Sequence, residues 1–231
     1  TRPFFLVASF ANPHNLCEWG NEMALPRGEI AQPPPVDQCP ALPGNHAVAD
    51  DEPDSVAMHR RFYKEWRNIG ACRTEDEWRR LRWAYARITE KVDGQIGRLL
   101  DALETAGLAD ETLVIFSSDH GDQDGAHELA HKRVLYEESI NIPFIVAGPG
   151  VRRGHIESDS LVNNATDFFA TVCDYAGAQL PAGVSGQSLR PILQGETASA
   201  WPDHLVSEVE NEHLHKHQRG RMVRSQHFKY M

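Results

Sequence analysis

No stretch of this sequence is long and apolar enough to cross a bilayer. A span needs roughly 18 to 20 apolar residues, and the longest candidates, such as residues 112–118 (TLVIFSS), have only the length of strands. Basic charge is also scarce: Lys and Arg number 23 against 33 Asp and Glu, and nowhere do cations build a long face interleaved with aromatics. Nucleic acid is therefore not an expected partner. Cys17, Cys39, Cys72 and Cys173 form no CxxC pair and are too few for a disulfide framework in 231 residues, so they read as free thiols and leave the compartment open. The chain lacks an initiator Met and a signal peptide and stops at HFKYM inside what reads as a strand, so a piece of a longer protein is expected.

What is present is the patterning of a soluble domain large enough to bury a substantial core. Residues 3–10 (PFFLVASF) form a continuous apolar run, as expected of a strand buried on both faces of a parallel sheet. Residues 15–54, rich in Pro and Gly around QPPPVDQCPALPGN, read as a loop that lines the surface or one wall of a cleft. Thr74-Glu75-Asp76-Glu77 is a capping box, and Trp78, Leu81, Tyr85, Ile88, Val92, Ile96, Leu99 and Leu103 follow at spacings of three and four. That predicts a long amphipathic helix ended by Gly107 in the left-handed conformation. Residues 112–118 and the IPFIVAGPG run predict two further strands, with a shorter helix over ATDFFATVCDYAG, capped at Thr166 or Asp167 and closed by Gly177. Beyond Trp201, HLVSEVE and RGRMVRSQHFKYM predict antiparallel strands. The expected fold class is α/β, a mostly parallel central sheet flanked by helices over residues 1–200, with a small C-terminal antiparallel annex over residues 201–231.

Two metal motifs compete in SSDHGDQDGAHELAHKRVLYEE, residues 117–138. His127-Glu128-Leu129-Ala130-His131 spells HExxH, which works in zinc proteases because positions i and i+4 of one helix bring two imidazoles to the same metal, with Glu as base. Glu157 is a candidate third ligand. Gly121 and Gly125 lie just upstream, however, where the helix would have to begin, and the Lys-Arg-Val after His131 lacks the Gly and third His of the extended zinc-protease motif. Asp119-His120 sits instead at the carboxyl end of a core strand, where open α/β sheets place their ligands. A carboxylate beside an imidazole can hold a divalent cation, and Gly121 lets the backbone turn away. His213, His215 and His217 form one more candidate cluster along a strand edge.

The block LVIFSSDHGDQDGAHELAHKRVLYEESINIPFIVAGPGV resembles the core of the sulfatase family within the alkaline phosphatase superfamily. It combines a strand, Asp-His-Gly, a Gly-x-His turn at Gly125-Ala126-His127, a Lys thirteen residues after the Asp, Leu-Tyr-Glu-Glu, and an Ile-Pro strand ending in Gly-Pro-Gly. PFFLVASFANPHN and the long-helix segment resemble the family's preceding parts. The resemblance implies that Asp119 and His120 are ligands of one divalent metal, usually calcium, that Lys132 and His14 contact the sulfate during cleavage, and that His127 also faces the substrate. A small-molecule or glycan sulfate ester is the implied partner, and a periplasmic or secreted location accompanies it. Family members more often carry Asn where His120 stands.

The family's nucleophile is a formylglycine made from Cys or Ser in a C/S-x-P-x-R motif. This sequence contains no such motif; around Cys39, PVDQCPALP lacks the Arg. The formylglycine is therefore expected in a preceding N-terminal part. Three alternatives stay open: a phosphodiesterase or phosphonate hydrolase of the same superfamily with His120 as a zinc ligand, an inactive sulfated-glycan binder, and an HExxH zinc protease.

Overall fold

The computed structural model describes residues 3–65, 74–196, 201–213 and 216–231. It divides into two compact units, Thr1–Leu103 with Gln123–His131, and Glu104–Asp122 with Lys132–Met231. Cys72 and His215 lie outside the described residues.

The first unit is helical. Its elements are α1 (Leu16–Gly20), α2 (Asp54–Glu65) and α3 (Glu75–Thr105), the last continuing two residues past the unit's edge. The capping box forms as the sequence predicts: the Glu77 amide donates to Thr74 Oγ1 at 3.2 Å, and the Thr74 amide donates to a Glu77 carboxylate oxygen at 2.9 Å. Two orphan amides at the start of α3 are thus satisfied reciprocally. The helix buries Trp78, Leu81, Ala84 and Ile88 against Leu16, Leu25 and Ala130, and Gly107 adopts φ 66° just beyond its end. The stripe weakens along the helix, with Leu99 exposed. Residues 15–54 are largely irregular, interrupted by α1 and a 3-10 turn at Val36–Gln38.

Residues 3–10 do not form the expected strand. They run without a ladder partner among the described residues, and Phe4, Phe5, Leu6 and Val7 are 55–70% exposed. Apolar, strand-prone residues become a strand only where a neighbouring backbone supplies hydrogen bonds. No described segment does so here.

The second unit carries β1 (Val114–Ser117), α4 (Glu137–Ile140), β2 (Phe144–Ala147), α5 (Thr166–Tyr175), α6 (Arg190–Leu193), β3 (His204–His213), β4 (Lys216–Ser225) and β5 (Lys229–Tyr230). Strands β1 and β2 pair antiparallel, Val114 opposite Ala147 and Ser117 opposite Phe144. The antiparallel strands expected beyond Trp201 form, in the order β3-β4-β5. Facing ion pairs Glu208–Arg221 and Glu210–Arg219 lie in register across β3 and β4, a modest stabilisation on an exposed ladder. No parallel pairing occurs among the described strands: β1 and β2, expected in a mostly parallel sheet, pair antiparallel with one another. The cap of α5 also differs from expectation. Asn163 Oδ1 accepts the amides of Ala165 and Thr166, while the buried Asp167 carboxylate accepts those of Asn163 and Gln187.

Candidate active site

Strand β1 ends at Ser117, and the chain turns at once through Asp119-His120-Gly121. Its β-branched, aromatic residues favour the ladder, and the turn is forced by close packing at Gly121. The Gly121 amide donates to Ser139 O at 2.9 Å, and a Cβ at this position would lie 1.9 Å from Glu138 O. Only glycine lets the two backbones approach this closely. Asp119 therefore projects into solvent with its side chain 84% exposed, and the His120 imidazole lies beside it, Nε2 to Oδ2 at 3.4 Å. The other carboxylate oxygen accepts the His120 amide at 3.0 Å.

His120 Nδ1 is 2.8 Å from Gly121 O, and a carbonyl can only accept, so Nδ1 donates; in the neutral imidazole the lone pair then sits on Nε2. This is the tautomer of a metal-bound histidine whose far nitrogen is held by a carbonyl. An Nε2 lone pair and a carboxylate oxygen facing each other are two electron donors that a cation would join. Two ligands about 2.4 Å from a cation at a right angle lie about 3.4 Å apart, so the pair fits a divalent ion. Among the described residues no third His, Cys, Asp or Glu converges on another of these to complete a metal site.

Lys132 also belongs to the second unit, half-buried, where the chain returns from the loop Gln123–His131. That loop is closed at its base by the Gln123 amide donating to His131 O at 2.7 Å, so Asp122 and Lys132 leave it side by side. Thirteen residues of sequence thus separate Asp119 from Lys132 without a corresponding length of extended chain.

His14 and His127 belong to the first unit. His14 is exposed in the turn before α1, its amide donating to Ala11 O. His127 sits in a backbone that side chains rarely tolerate: Asp124, His127, Glu128 and His131 all have φ between 45° and 68°. Each such residue costs of order 1 kcal/mol or more and persists only where its surroundings over-determine it. Here the His127 and Glu128 amides donate to Asn45 O and His46 O, His46 Nδ1 donates to Gly125 O at 2.6 Å, and Arg82 pairs with Asp124 at 3.0 Å. Asn45 Nδ2 lies 3.4 Å from His127 Nε2. Nothing in the local sequence marks Asn45, His46 or Arg82; the first two lie about eighty residues away from the loop they hold.

The same geometry rules out the protease reading. Ala126–Glu128 is one 3-10 turn with left-handed φ at His127 and Glu128, not a helix, so the i and i+4 imidazoles do not share a face. His131 is buried instead against Cys17 Sγ, 3.7 Å from Nδ1, and the Tyr63 ring. Glu157 is engaged locally by the Asp159 amide and His155. Burial alone would raise its carboxyl, but hydrogen bonds from Asp159, His155 and Ser160 outweigh that and hold it below the ordinary value. Of the histidine trio, His213 closes β3 and His217 lies on β4 opposite Glu212.

The described residues thus hold a helical unit and, in the second unit, a strand-end carboxylate–imidazole pair followed in sequence by a closed loop and a lysine. The sulfatase family model matches residues 1–178, and the chain belongs to that family. It is 34% identical over 236 residues to the delta 4,5-hexuronate-2-O-sulfatase of Bacteroides thetaiotaomicron, covering 99% of this chain and 47% of that protein. A solved 2-O GAG sulfatase superposes with a TM-score of 0.81 at 33% identity, over 95% of this chain and 47% of the other. The phosphonate monoester hydrolase of Agrobacterium radiobacter superposes with a TM-score of 0.61 at 28% identity, over 68% and 34%. The chain spans about half the length of the first of these relatives. Among the described residues no helix is long and apolar enough to cross a membrane.

Proposed function

We propose that this chain is part of a sulfuric ester hydrolase that releases sulfate from a sulfated carbohydrate, with a 2-O-sulfated unsaturated hexuronate as the substrate class. The carrying observation is the exposed Asp119 carboxylate facing His120 Nε2 at 3.4 Å, at the end of β1 in a chain that is 34% identical to a hexuronate-2-O-sulfatase. In this reading Asp119 and His120 hold one divalent cation, calcium in the family's usual form, which supplies positive charge to the sulfate oxygens when bound. Lys132 adds a second positive charge to the transferring group, and His14 stabilises or protonates the leaving oxygen. His127, held rigid by its strained loop, orients the sulfated sugar. The nucleophile, a formylglycine, belongs to sequence beyond these 231 residues.

The finer architecture follows from the same reading. Residues 3–10 are a strand of a mostly parallel central sheet completed by the rest of the protein, which accounts for four successive exposed apolar side chains. Residues 201–231 begin a C-terminal antiparallel subdomain.

The test is sulfate release from a 2-O-sulfated unsaturated disaccharide by the full-length protein, followed by ion chromatography. Asp119→Ala and Lys132→Ala are each expected to lower kcat/KM by about a hundredfold or more. Binding of the disaccharide without turnover would replace the enzyme reading with that of a glycan binder. The structural likeness to a phosphonate monoester hydrolase favours one second reading, with His120 as a zinc ligand. Hydrolysis of a phosphonate monoester without sulfate release, with more than one equivalent of bound zinc, would establish it.

A further inference from the structure

Beyond Ser117 the β1 ladder is finished, and the carbonyls of Ser118 and Asp119 have no strand opposite them among the described residues. One side chain serves both: Asn164 Nδ2 donates to Ser118 O at 2.9 Å and to Asp119 O at 3.3 Å. Both partners are carbonyl oxygens, so the orientation of the amide is not in question; only its nitrogen can donate. The backbone of Asn164 is itself held, because Asn163 caps α5 and Asp167 returns a carboxylate oxygen to the Asn163 amide at 2.7 Å. Across the turn, the Gly121 amide is pinned to Ser139 O. Between these two anchors only Asp119 and His120 are free to present side chains outward.

We propose that Asn164 is a positioning residue for the divalent-cation site. It fixes the Ser118–Asp119 peptide, and with it the direction in which the Asp119 carboxylate leaves the backbone toward His120 Nε2. This inference rests on the reading of Asp119 and His120 as metal ligands. Asn164 reaches neither of their ligating atoms; it acts through the peptide between them and the strand. A polar residue that orients a ligand in this way is worth about tenfold to a hundredfold in metal affinity.

The experiment is calcium titration by calorimetry on the full-length protein after chelator treatment, comparing wild type with Asn164→Ala, Asn164→Leu and Asp119→Ala. Leucine shares the branched skeleton of asparagine, with more bulk, but has no donor. Both Asn164 variants are expected to bind calcium about tenfold to a hundredfold more weakly, with unfolding midpoints in chelator within about 3 °C of wild type. Their sulfate release should return toward the wild-type kcat when calcium is raised to saturation. Wild-type calcium affinity in both Asn164 variants, alongside lost binding in Asp119→Ala, overturns the inference and leaves the proposed function standing. Restoration by leucine of an affinity lost with alanine also overturns it, since packing rather than the amide would then hold the turn. Wild-type binding in Asp119→Ala overturns the ligand assignment itself.

Discussion

Replacing Gly121 with alanine puts a methyl group 1.9 Å from Glu138 O, 3.0 Å from Glu138 C and 3.5 Å from Ser139 Cα. Every obstacle is backbone, so no rotamer change relieves it, and contacts at this range need about 1 Å of movement. The α4 side is the less yielding one. The Ser139 and Ile140 amides donate to Tyr136 O, and the Glu137 carboxylate takes Arg224 at 3.3 Å and Lys229 at 3.0 Å. The Asp-His-Gly turn must therefore move, and the Gly121–Ser139 hydrogen bond breaks. Losing that bond costs about 1 kcal/mol, and forcing a methyl into a filled space about 1–3 kcal/mol, so the expected loss is roughly 2–4 kcal/mol. Urea unfolding of the full-length Gly121→Ala protein should show a midpoint about 1 M or more below wild type. Gly44→Ala, where nothing lies within 4 Å of the new Cβ, serves as the neutral control. A Gly121→Ala midpoint equal to that control would refute the claim that backbone approach at residue 121 sets the turn.

Two further outcomes follow from groups outside the turn. Asp167→Ala leaves the Asn163 and Gln187 amides without their acceptor at a position 6% exposed, and a loss of roughly 2–4 kcal/mol in urea unfolding is expected; Asp167→Asn, which keeps one acceptor oxygen, should lose less. Glu157 is held below the ordinary carboxyl value, so its contribution is present above the unfolded value and disappears as pH falls through the folded one. Unfolding measured between about pH 6 and pH 3 should therefore fall less steeply in Glu157→Gln than in wild type, and parallel curves would show that the His155–Ser160 contacts contribute nothing.

Features written in neighbouring residues were legible in the sequence. The Thr74–Glu77 box, the Gly107 stop and the antiparallel annex all form as read, because each is decided within a few residues or by a hairpin. The run at residues 3–10 was legible only as a propensity, and it forms no strand among the described residues because a ladder needs a partner backbone. The cap of α5 was misassigned for a subtler reason. Asp167 stands where a capping residue should, but its carboxylate is drawn to Gln187, twenty residues on, and Asn163 takes over. Asn45 and His46, which hold the His127 loop, and Asn164, which holds the Asp119 turn, gave no signal at all, being ordinary polar residues that act through groups they reach across long sequence separations.

The two metal motifs of residues 117–138 show why spacing alone could not choose between them. HExxH is a statement about one face of a helix, and it loses its meaning once His127, Glu128 and His131 adopt left-handed φ. Asp119-His120 needs no helix; as the proposed metal pair it needs a turn that brings two adjacent side chains together. Gly121 against Glu138 supplies the turn, and the carbonyl of Gly121 supplies the histidine tautomer. The strain in the HExxH stretch then acquires a different sense. A loop that keeps four non-glycine residues at positive φ, clamped by Asn45, His46 and Arg82, holds the His127 backbone in one conformation, as the proposed role in orienting a substrate requires and a helical zinc site does not.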